Sequence, residues 1–205
     1  MKMLKKCLSI VAAGLCLIFA CAPSPQALVG PKLREEYEGI LASDNTRRIK
    51  VRAVKKLLRK RSASLRCTDE KGNTPLHLAA TNPSNINVAT LLIRRGASWT
   101  ALNNDGHSPL DLALINLSFA HVIEFITTIE ETTRRPIINE RDSNGNTILH
   151  LAVLYNQQSL VRWLVIAKRA NMNIRNDRGN TPAGIAQYLN HEFILMFLRG
   201  RGARF

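Results

Sequence analysis

The fold is decided by the stretch Gly72-Asn73-Thr74-Pro75-Leu76-His77-Leu78-Ala79-Ala80, because the chain repeats it three more times. The later copies read GHSPLDLA at residues 106–113, GNTILHLA at 145–152 and GNTPAGIA at 179–186. Their first glycines follow one another at spacings of 34, 39 and 34 residues. Self-similarity at a period of this length is typical of stacked-repeat proteins. We therefore expect a row of similar units rather than one globular core.

Each copy begins with residues that favour a tight turn followed by a helix. The glycine tolerates a positive φ, and Asn or Asp residues beside it bond to the nearby backbone. The hydroxyl residue two positions later fits a helix N-cap, as in Thr74, Ser108, Thr147 and Thr181. Proline comes next in three of the four copies, at the first helical position, where its missing N–H costs nothing.

A second helix is predicted at a fixed distance from each glycine. Apolar pairs stand 16 and 19 residues after it, namely Val88/Leu91, Val122/Phe125, Val161/Leu164 and Leu195/Leu198. Residues three apart share one face of a helix. One period earlier the same template places Val54 in a degenerate first unit. The pattern predicts units at about 33–71, 72–105, 106–144, 145–178 and 179–205, the last one truncated at Phe205.

These copies resemble the ankyrin repeat, whose signature is D-x-x-G-x-T-P-L-H-x-A. The resemblance implies an all-α solenoid over residues 33–205, with about five helix–turn–helix units linked by short hairpin turns. It also implies that His77 and His150 bridge neighbouring repeats by hydrogen bonds. Proteins of this family bind other proteins, so we expect a non-enzymatic protein–protein interaction module whose partner the sequence does not identify.

The N-terminus has the features of an export signal. Three lysines within residues 1–6 precede an apolar run from Cys7 to Ala20, which is shorter than the about 20 residues of a membrane span. Ile18-Phe19-Ala20-Cys21 resembles a bacterial lipobox, so we expect a signal peptide at 1–20, lipidation at Cys21 and a periplasm-facing lipoprotein of the cell envelope. Ordinary cleavage after Ala22, releasing a soluble protein, and an uncleaved anchor are the alternatives. Residues 21–32 would form a proline-containing tether.

The strong positive charge is concentrated in one segment. The chain carries a formal net charge of +14, and residues 47–61 contain no acidic residue. One interpretation is the outer face of a terminal repeat; the other is a surface that binds anionic lipid or an acidic protein, and both can hold at once. No aromatic residue interleaves the charges, which disfavours nucleic acid. The candidate anion-binding residues are Arg47, Arg48, Lys50, Arg52, Lys55, Lys56, Arg59, Lys60 and Arg61.

The residues that differ between copies are the candidates for contacting a partner. In this family partner choice resides in the hairpin tips and the exposed face of the first helix. The tips are polar and of mixed charge, which suggests a protein partner, although solubility alone explains the same composition. The tip candidates are Lys71, Asn103, Asn104, Asp105, Arg141, Ser143, Asn144, Arg175, Asn176 and Arg178.

Two further features interrupt the pattern. The 39-residue spacing adds five residues, which we place within Thr127–Pro136, where they would lengthen the second helix or enlarge the loop. Trp163 and Phe197 stand where other copies have polar residues. We interpret them either as an exposed aromatic patch that binds a partner or forms a homodimer, or as rings that fill the groove between neighbouring helices.

We find no catalytic, cofactor or metal motif. The histidines and Cys67 lack companions at ligand spacing, and no phosphate-binding loop is present. The alternatives to a general binding module are therefore a membrane- or envelope-associating structural factor that uses segment 47–61, and an inhibitor or immunity-type protein that caps a toxin or enzyme.

Overall fold

The computed structural model describes residues 30–42, 47–60 and 65–204 of the chain. These residues form ten α-helices and no β-strand. The predicted signal peptide, Cys21 and Arg61 lie outside the described residues, as do residues 21–29 of the predicted tether. In chain order the helices are α1 (Gly30–Ala42), α2 (Arg47–Lys60), α3 (Pro75–Ala80), α4 (Ile86–Arg94), α5 (Pro109–Asn116), α6 (Phe119–Thr133), α7 (Ile148–Leu154), α8 (Gln158–Ile166), α9 (Pro182–Tyr188) and α10 (Glu192–Gly200).

The helices pair into five repeats, as predicted. The first member of each pair (helix A) packs on the second (helix B), and the helices A stack in the order α1, α3, α5, α7 and α9. The helices B stack in the same way from α2 through α4 to α6 and again from α8 to α10, with little contact between α6 and α8. The all-α solenoid is thus confirmed. Its first helix begins at Gly30, inside the range 21–32 predicted as the tether, and the boundary between tether and repeats stays a prediction.

From the second repeat onward, each helix A begins directly after the hydroxyl residue that the sequence predicts as its N-cap. Thr74, Ser108, Thr147 and Thr181 occupy the N-cap positions in extended backbone conformation. Such a residue satisfies amide hydrogens that have no partner within the helix. In the third repeat, for example, Ser108 Oγ accepts a hydrogen bond from Asp111 N at 3.2 Å.

The core runs along the axis of the stack between the two helical layers. The helix B positions predicted to face inward are mostly buried: Val54, Phe125, Leu164 and Leu198 are each 0% exposed, whereas Leu91 and Leu195 are half-buried. Each repeat therefore buries its apolar side chains against its own partner helix and the adjacent repeat. In such a stack, stability is a sum of repeat terms and nearest-neighbour terms.

The five extra residues of the third repeat lengthen its helix B. Helix α6 has 15 residues, whereas α4, α8 and α10 have nine each. The added turn carries Glu130 and Glu131, which pair with residues of the two neighbouring repeats. Glu131 lies 3.2 Å from Arg94 Nη2 and Glu130 lies 2.6 Å from Lys168 Nζ. The insertion therefore links three consecutive repeats.

Candidate partner-binding surface

The hairpin tips owe their shape to one residue that stands three positions before each turn glycine. Its side-chain oxygen accepts two backbone N–H bonds from the turn, for example from Lys71 and Asn73 to Asp69 Oδ1 at 2.9 and 2.7 Å. Asn103, Asp142 and Asn176 make the equivalent pair of bonds in the next three repeats. This is the Asx-turn geometry that Asp and Asn side chains support.

Neighbouring tips are tied together at two of the junctions. Asn104 N donates to Lys71 O at 2.9 Å, and Asp177 N donates to Asn144 O at 3.1 Å. The approach is close, since a Cβ added to Gly72, whose φ is +75°, would lie 2.9 Å from Asn104 N. Glycine is therefore required at this tip both by its positive φ and by the adjacent repeat.

Two of the predicted contact residues are structural. Asn103 is 9% exposed, and its Nδ2 donates to Asn73 Oδ1 of the preceding repeat at 2.8 Å. Asn176 is half-buried, and its Nδ2 donates to Asn146 Oδ1 at 2.9 Å. Because both side chains already serve their own turn, Asn103 and Asn176 hold their hairpins in place, and a contact of either with a partner stays a prediction.

The other tip candidates are exposed. Arg141 forms an ion pair with Asp177 of the next repeat, Nη2 to Oδ1 at 2.6 Å, while Arg175 Nη1 donates to Gly179 O at 2.6 Å. These bonds fix the direction of two guanidinium groups at the surface. The exposed set consists of Lys71, Asn104, Asp105, Arg141, Ser143, Asn144, Arg175 and Arg178.

Helix A adds an apolar row that the sequence analysis did not single out. Ile115, Leu154 and Tyr188 stand nine residues after their respective turn glycines and are 44%, 43% and 86% exposed. Because they hold the same position in consecutive repeats, they form one row along the stack. The sequence could have predicted this row, because a large apolar residue recurs at this position in three repeats, whereas the second repeat has Thr81 there. We call this row, with the exposed tip residues, the helix A surface.

The basic segment forms helix α2, the helix B of the first repeat. Arg52, Lys55 and Lys56 are exposed, as predicted. Lys50 is 5% exposed, and its Nζ donates to Leu41 O at 3.0 Å and to Asn85 Oδ1 at 2.9 Å. Its ammonium group therefore ties α2 to α1 and to the second repeat, and the assignment of Lys50 to an anion-binding surface stays a prediction. Helix α2 also includes Arg47, Arg48, Arg59 and Lys60.

The rings of Trp163 and Phe197 are half-buried against the core. Cations stand over both of them: Lys168 Nζ lies 5.2 Å from the Trp163 centroid, and Arg162 and Arg201 lie 5.9 and 5.5 Å from the Phe197 centroid. The rings thus share features of both interpretations, since they pack inward and keep an outer edge beneath basic side chains.

The buried histidines serve the stack. Thr74 N donates to His77 Nδ1 at 3.0 Å, so His77 Nε2 carries the hydrogen and donates to His107 O of the next repeat at 3.0 Å. His150 repeats this arrangement with Asn180 O at 3.1 Å. Burial lowers the pKa of both imidazoles. Both side chains are therefore neutral bridges between repeats near neutral pH.

Reactive or metal-binding groups are not gathered anywhere in the described part of the chain. Burial raises the pKa of the Cys67 thiol, which keeps the thiol protonated and a weak nucleophile. No group of three His, Cys, Asp or Glu side chains among the described residues is placed to hold a metal ion. In residues 30–42, 47–60 and 65–204 no helix has both the length and the apolar character to cross a bilayer.

Comparison with known proteins agrees with this geometry. The family profile described as ankyrin repeats (many copies) matches residues 57–113 and 133–186. Human transient receptor potential cation channel subfamily A member 1 is 36% identical over 80 residues, which is 38% of this chain. Ankyrin repeat protein 14 of vaccinia virus (strain Western Reserve) is 43% identical over 63 residues, or 30% of this chain. The aligned segments span only 7% and 26% of those two proteins.

Proposed function

Because the chain belongs to the ankyrin-repeat family, whose members are protein–protein interaction modules, we propose that it acts by binding one protein partner across its helix A surface. The exposed row of Ile115, Leu154 and Tyr188 carries this proposal. Full burial of an exposed apolar side chain contributes about 1.5–3 kcal/mol. Ile115 and Leu154 are already more than half-buried and gain less than Tyr188, and together the three form the apolar centre of a specific interface.

The polar tips have a different role on the same side of the molecule. They precede helix A by four to seven residues and present both signs of charge. Rim charges of this kind select a partner and orient it, while buried apolar contacts hold it. The Arg141–Asp177 pair is held at 2.6 Å before any partner arrives. Binding to it therefore requires little further ordering.

The test compares the chain with a triple variant, Ile115→Ser, Leu154→Ser and Tyr188→Ser. Both are crosslinked in native cells, and the captured proteins are quantified by mass spectrometry. We expect recovery of one specific protein to fall at least about tenfold, the effect of losing about 1.4 kcal/mol. A variant of exposed residues on helix B, Arg52→Ser with Lys55→Ser, is the matched control, and circular dichroism verifies that both variants are folded. Equal recovery by the chain and the triple variant would contradict the proposal.

We further propose that the protein is exported and anchored by lipid at Cys21. The support lies in the three N-terminal lysines, the apolar run from Cys7 to Ala20 and the lipobox-like Ile18-Phe19-Ala20-Cys21. The anchor would hold the repeats at the envelope membrane with the helix A surface available to a periplasmic partner. The test is labelling of cells with labelled palmitate. We expect the protein to incorporate the label and the variant Cys21→Ser to incorporate none. Release of unlabelled protein cleaved after Ala22 would identify an ordinary signal peptide instead.

A further inference from the structure

Helix α10 is apolar on two opposite sides. Ile194 and Leu198 face the core at 2% and 0% exposure, whereas Phe193 and Met196 are 77% and 71% exposed. Phe193 and Met196 are three residues apart and so lie together on the outward side. Large apolar side chains that are exposed side by side often mark a contact surface. Something outside the described residues is therefore expected to cover this pair.

The position of α10 at the end of the stack does not explain this exposure. In the fourth repeat the equivalent residues are Ser159 and Arg162, and both are exposed although α10 packs against α8. Stacking of α10 on α8 therefore leaves this side of α8 open, whereas the equivalent Ile86 and Ala89 of α4 are buried. Phe193 and Met196 thus occupy an outer face on which the preceding repeat carries polar residues.

Three exposed arginines lie on α10, directly after it or at the position of α8 equivalent to Met196. Arg162, Arg199 and Arg201 are exposed, and the guanidinium groups of Arg162 and Arg201 lie 5.9 and 5.5 Å from the Phe197 centroid. Glu192 is the acidic residue of this helix. We call Phe193 and Met196, together with these three arginines, the outer patch. Its charge calls for an anionic counterpart, and a second copy would bring like charges face to face.

The equivalent positions of the first repeat are basic. Arg52 and Lys55 of α2 hold the positions that Phe193 and Met196 hold in α10, counted by the repeat period, and both are exposed. These two positions are therefore cationic in α2 and apolar in α10. These are the two components of peripheral membrane contact: attraction of basic groups by anionic headgroups, and insertion of apolar side chains between them.

We propose that the outer patch docks on an anionic lipid bilayer, with Phe193 and Met196 inserted at the headgroup level and the three arginines on lipid phosphates. Both apolar side chains are largely exposed and so stand out from the surface. A bilayer accepts protruding side chains without a preformed pocket, whereas a folded protein partner would need a matching cavity. The proposal places lipid and protein partner on different faces, so that the helix A surface stays free.

The test uses the full chain and sedimentation with vesicles of phosphatidylcholine alone or with one-third phosphatidylglycerol. The change is Phe193→Ser with Met196→Ser. The matched control is Ile115→Ser with Leu154→Ser, which removes two exposed apolar side chains from the helix A surface. Any contribution of the N-terminal apolar run is the same in all three proteins, and circular dichroism verifies folding.

We expect wild type and control to bind the anionic vesicles alike, and the patch variant to bind at least about tenfold more weakly, in line with the loss of two buried apolar side chains. Binding of all three should weaken at high salt. Equal binding by the patch variant and wild type, or binding that ignores phosphatidylglycerol, would overturn the proposal. So would a wild-type dimer in light scattering that the patch variant abolishes, because the occupant would then be a second copy.

Discussion

The two buried histidine bridges predict that the solenoid loses stability as the pH falls below about 6.5. His77 and His150 are each 0% exposed and neutral when they bridge to the next repeat. Burial lowers the pKa of both, against smaller effects from backbone carbonyls and from Asp69 or Asp142 that raise it. The unfolded chain therefore binds protons at a higher pH than the folded chain does.

The size of the effect follows from proton linkage. Above the unfolded pKa of about 6.5 both states are neutral and the full stability is present. As the pH falls from there toward the folded pKa, each histidine removes up to about 1.4 kcal/mol per pH unit, so two remove up to about 2.7. Below the folded pKa both states are protonated, and this source of instability adds nothing further.

The chain itself suggests the control substitution, because in the third repeat Asp111 occupies the position that His77 and His150 occupy in theirs. Its Oδ2 accepts hydrogen bonds from Ser108 N and Ser108 Oγ, both at 2.7 Å, so an aspartate replaces the capping half of the histidine's role. The double variant His77→Asp, His150→Asp keeps the cap and lacks the Nε2 donor to the next repeat, and it places a smaller, ionised side chain at two fully buried positions. At pH of about 8 we expect each change to lower the free energy of unfolding by at least about 1 kcal/mol, because these effects act in the same direction.

Urea unfolding followed by far-ultraviolet circular dichroism from pH of about 8 to about 5 measures both effects. Wild type should lose stability with the linkage slope, and the double variant should lose most of that slope while its m-value stays unchanged. The acceptor carbonyls do not become unpaired, since His107 O and Asn180 O also accept from Asn103 N and Asn176 N. The reasoning is refuted if the double variant has the wild-type slope, because the protons would then be taken up elsewhere.

Two further predictions concern the backbone and a buried charge. Arg134 and Arg169 follow their helices B with φ of 56° and 52°, and Gly96 follows α4 with φ of 85°. Replacing both arginines with glycine should stabilise the protein by about 1 kcal/mol per site, because glycine adopts positive φ without strain. Gly96→Arg should destabilise it by a similar amount, and the midpoint of urea unfolding measures both changes. Lys50→Met should destabilise the protein by about 1.5–3 kcal/mol, because two buried acceptors lose their charged donor. Lys55→Met removes an exposed charge and should change the free energy of unfolding by no more than about 0.5 kcal/mol. Equal midpoints for the two lysine variants would contradict the bridging role of Lys50.

The repeat architecture was predictable because its signals are local. A turn glycine, a hydroxyl cap and a proline decide where each helix begins, and these signals recur whatever the neighbouring repeats contain. The roles of Asn103 and Asn176 were also within reach of the sequence, since both share a column with Asp69 and Asp142 three residues before the glycine. We assigned them to the partner-contacting tips because they are polar. Their shared position three residues before each turn glycine, where the other repeats have Asp, predicts a turn-forming role instead.

Other assignments depended on three-dimensional packing. Lys50 lies in a run of like charges that suggests a solvated face, yet it is four residues before the buried Val54 and so shares its side of α2. Which polar groups it meets depends on Leu41 and Asn85, which no local rule brings near. Exposure of Phe193 and Met196 likewise depends on the rotation of α10 about its axis, and apolar residues on both sides of a helix leave that rotation undetermined.

Several departures from the repeat pattern, which lie apart in the sequence, meet at the junction between the third and fourth repeats. Asp111 cannot donate to the fourth repeat, α6 and α8 have little contact, and the family profile leaves residues 114–132 unmatched. In a one-dimensional stack each junction contributes its own free energy to stability. The missing bridge and the small contact between α6 and α8 must therefore be offset by other interactions at the same junction. The lengthened helix provides part of these interactions through the half-buried Glu130–Lys168 pair at 2.6 Å, and Gln157 Nε2 adds a bond to Leu114 O at 2.9 Å. The insertion that interrupts the repeat period thus substitutes for the bridge that Asp111 cannot make.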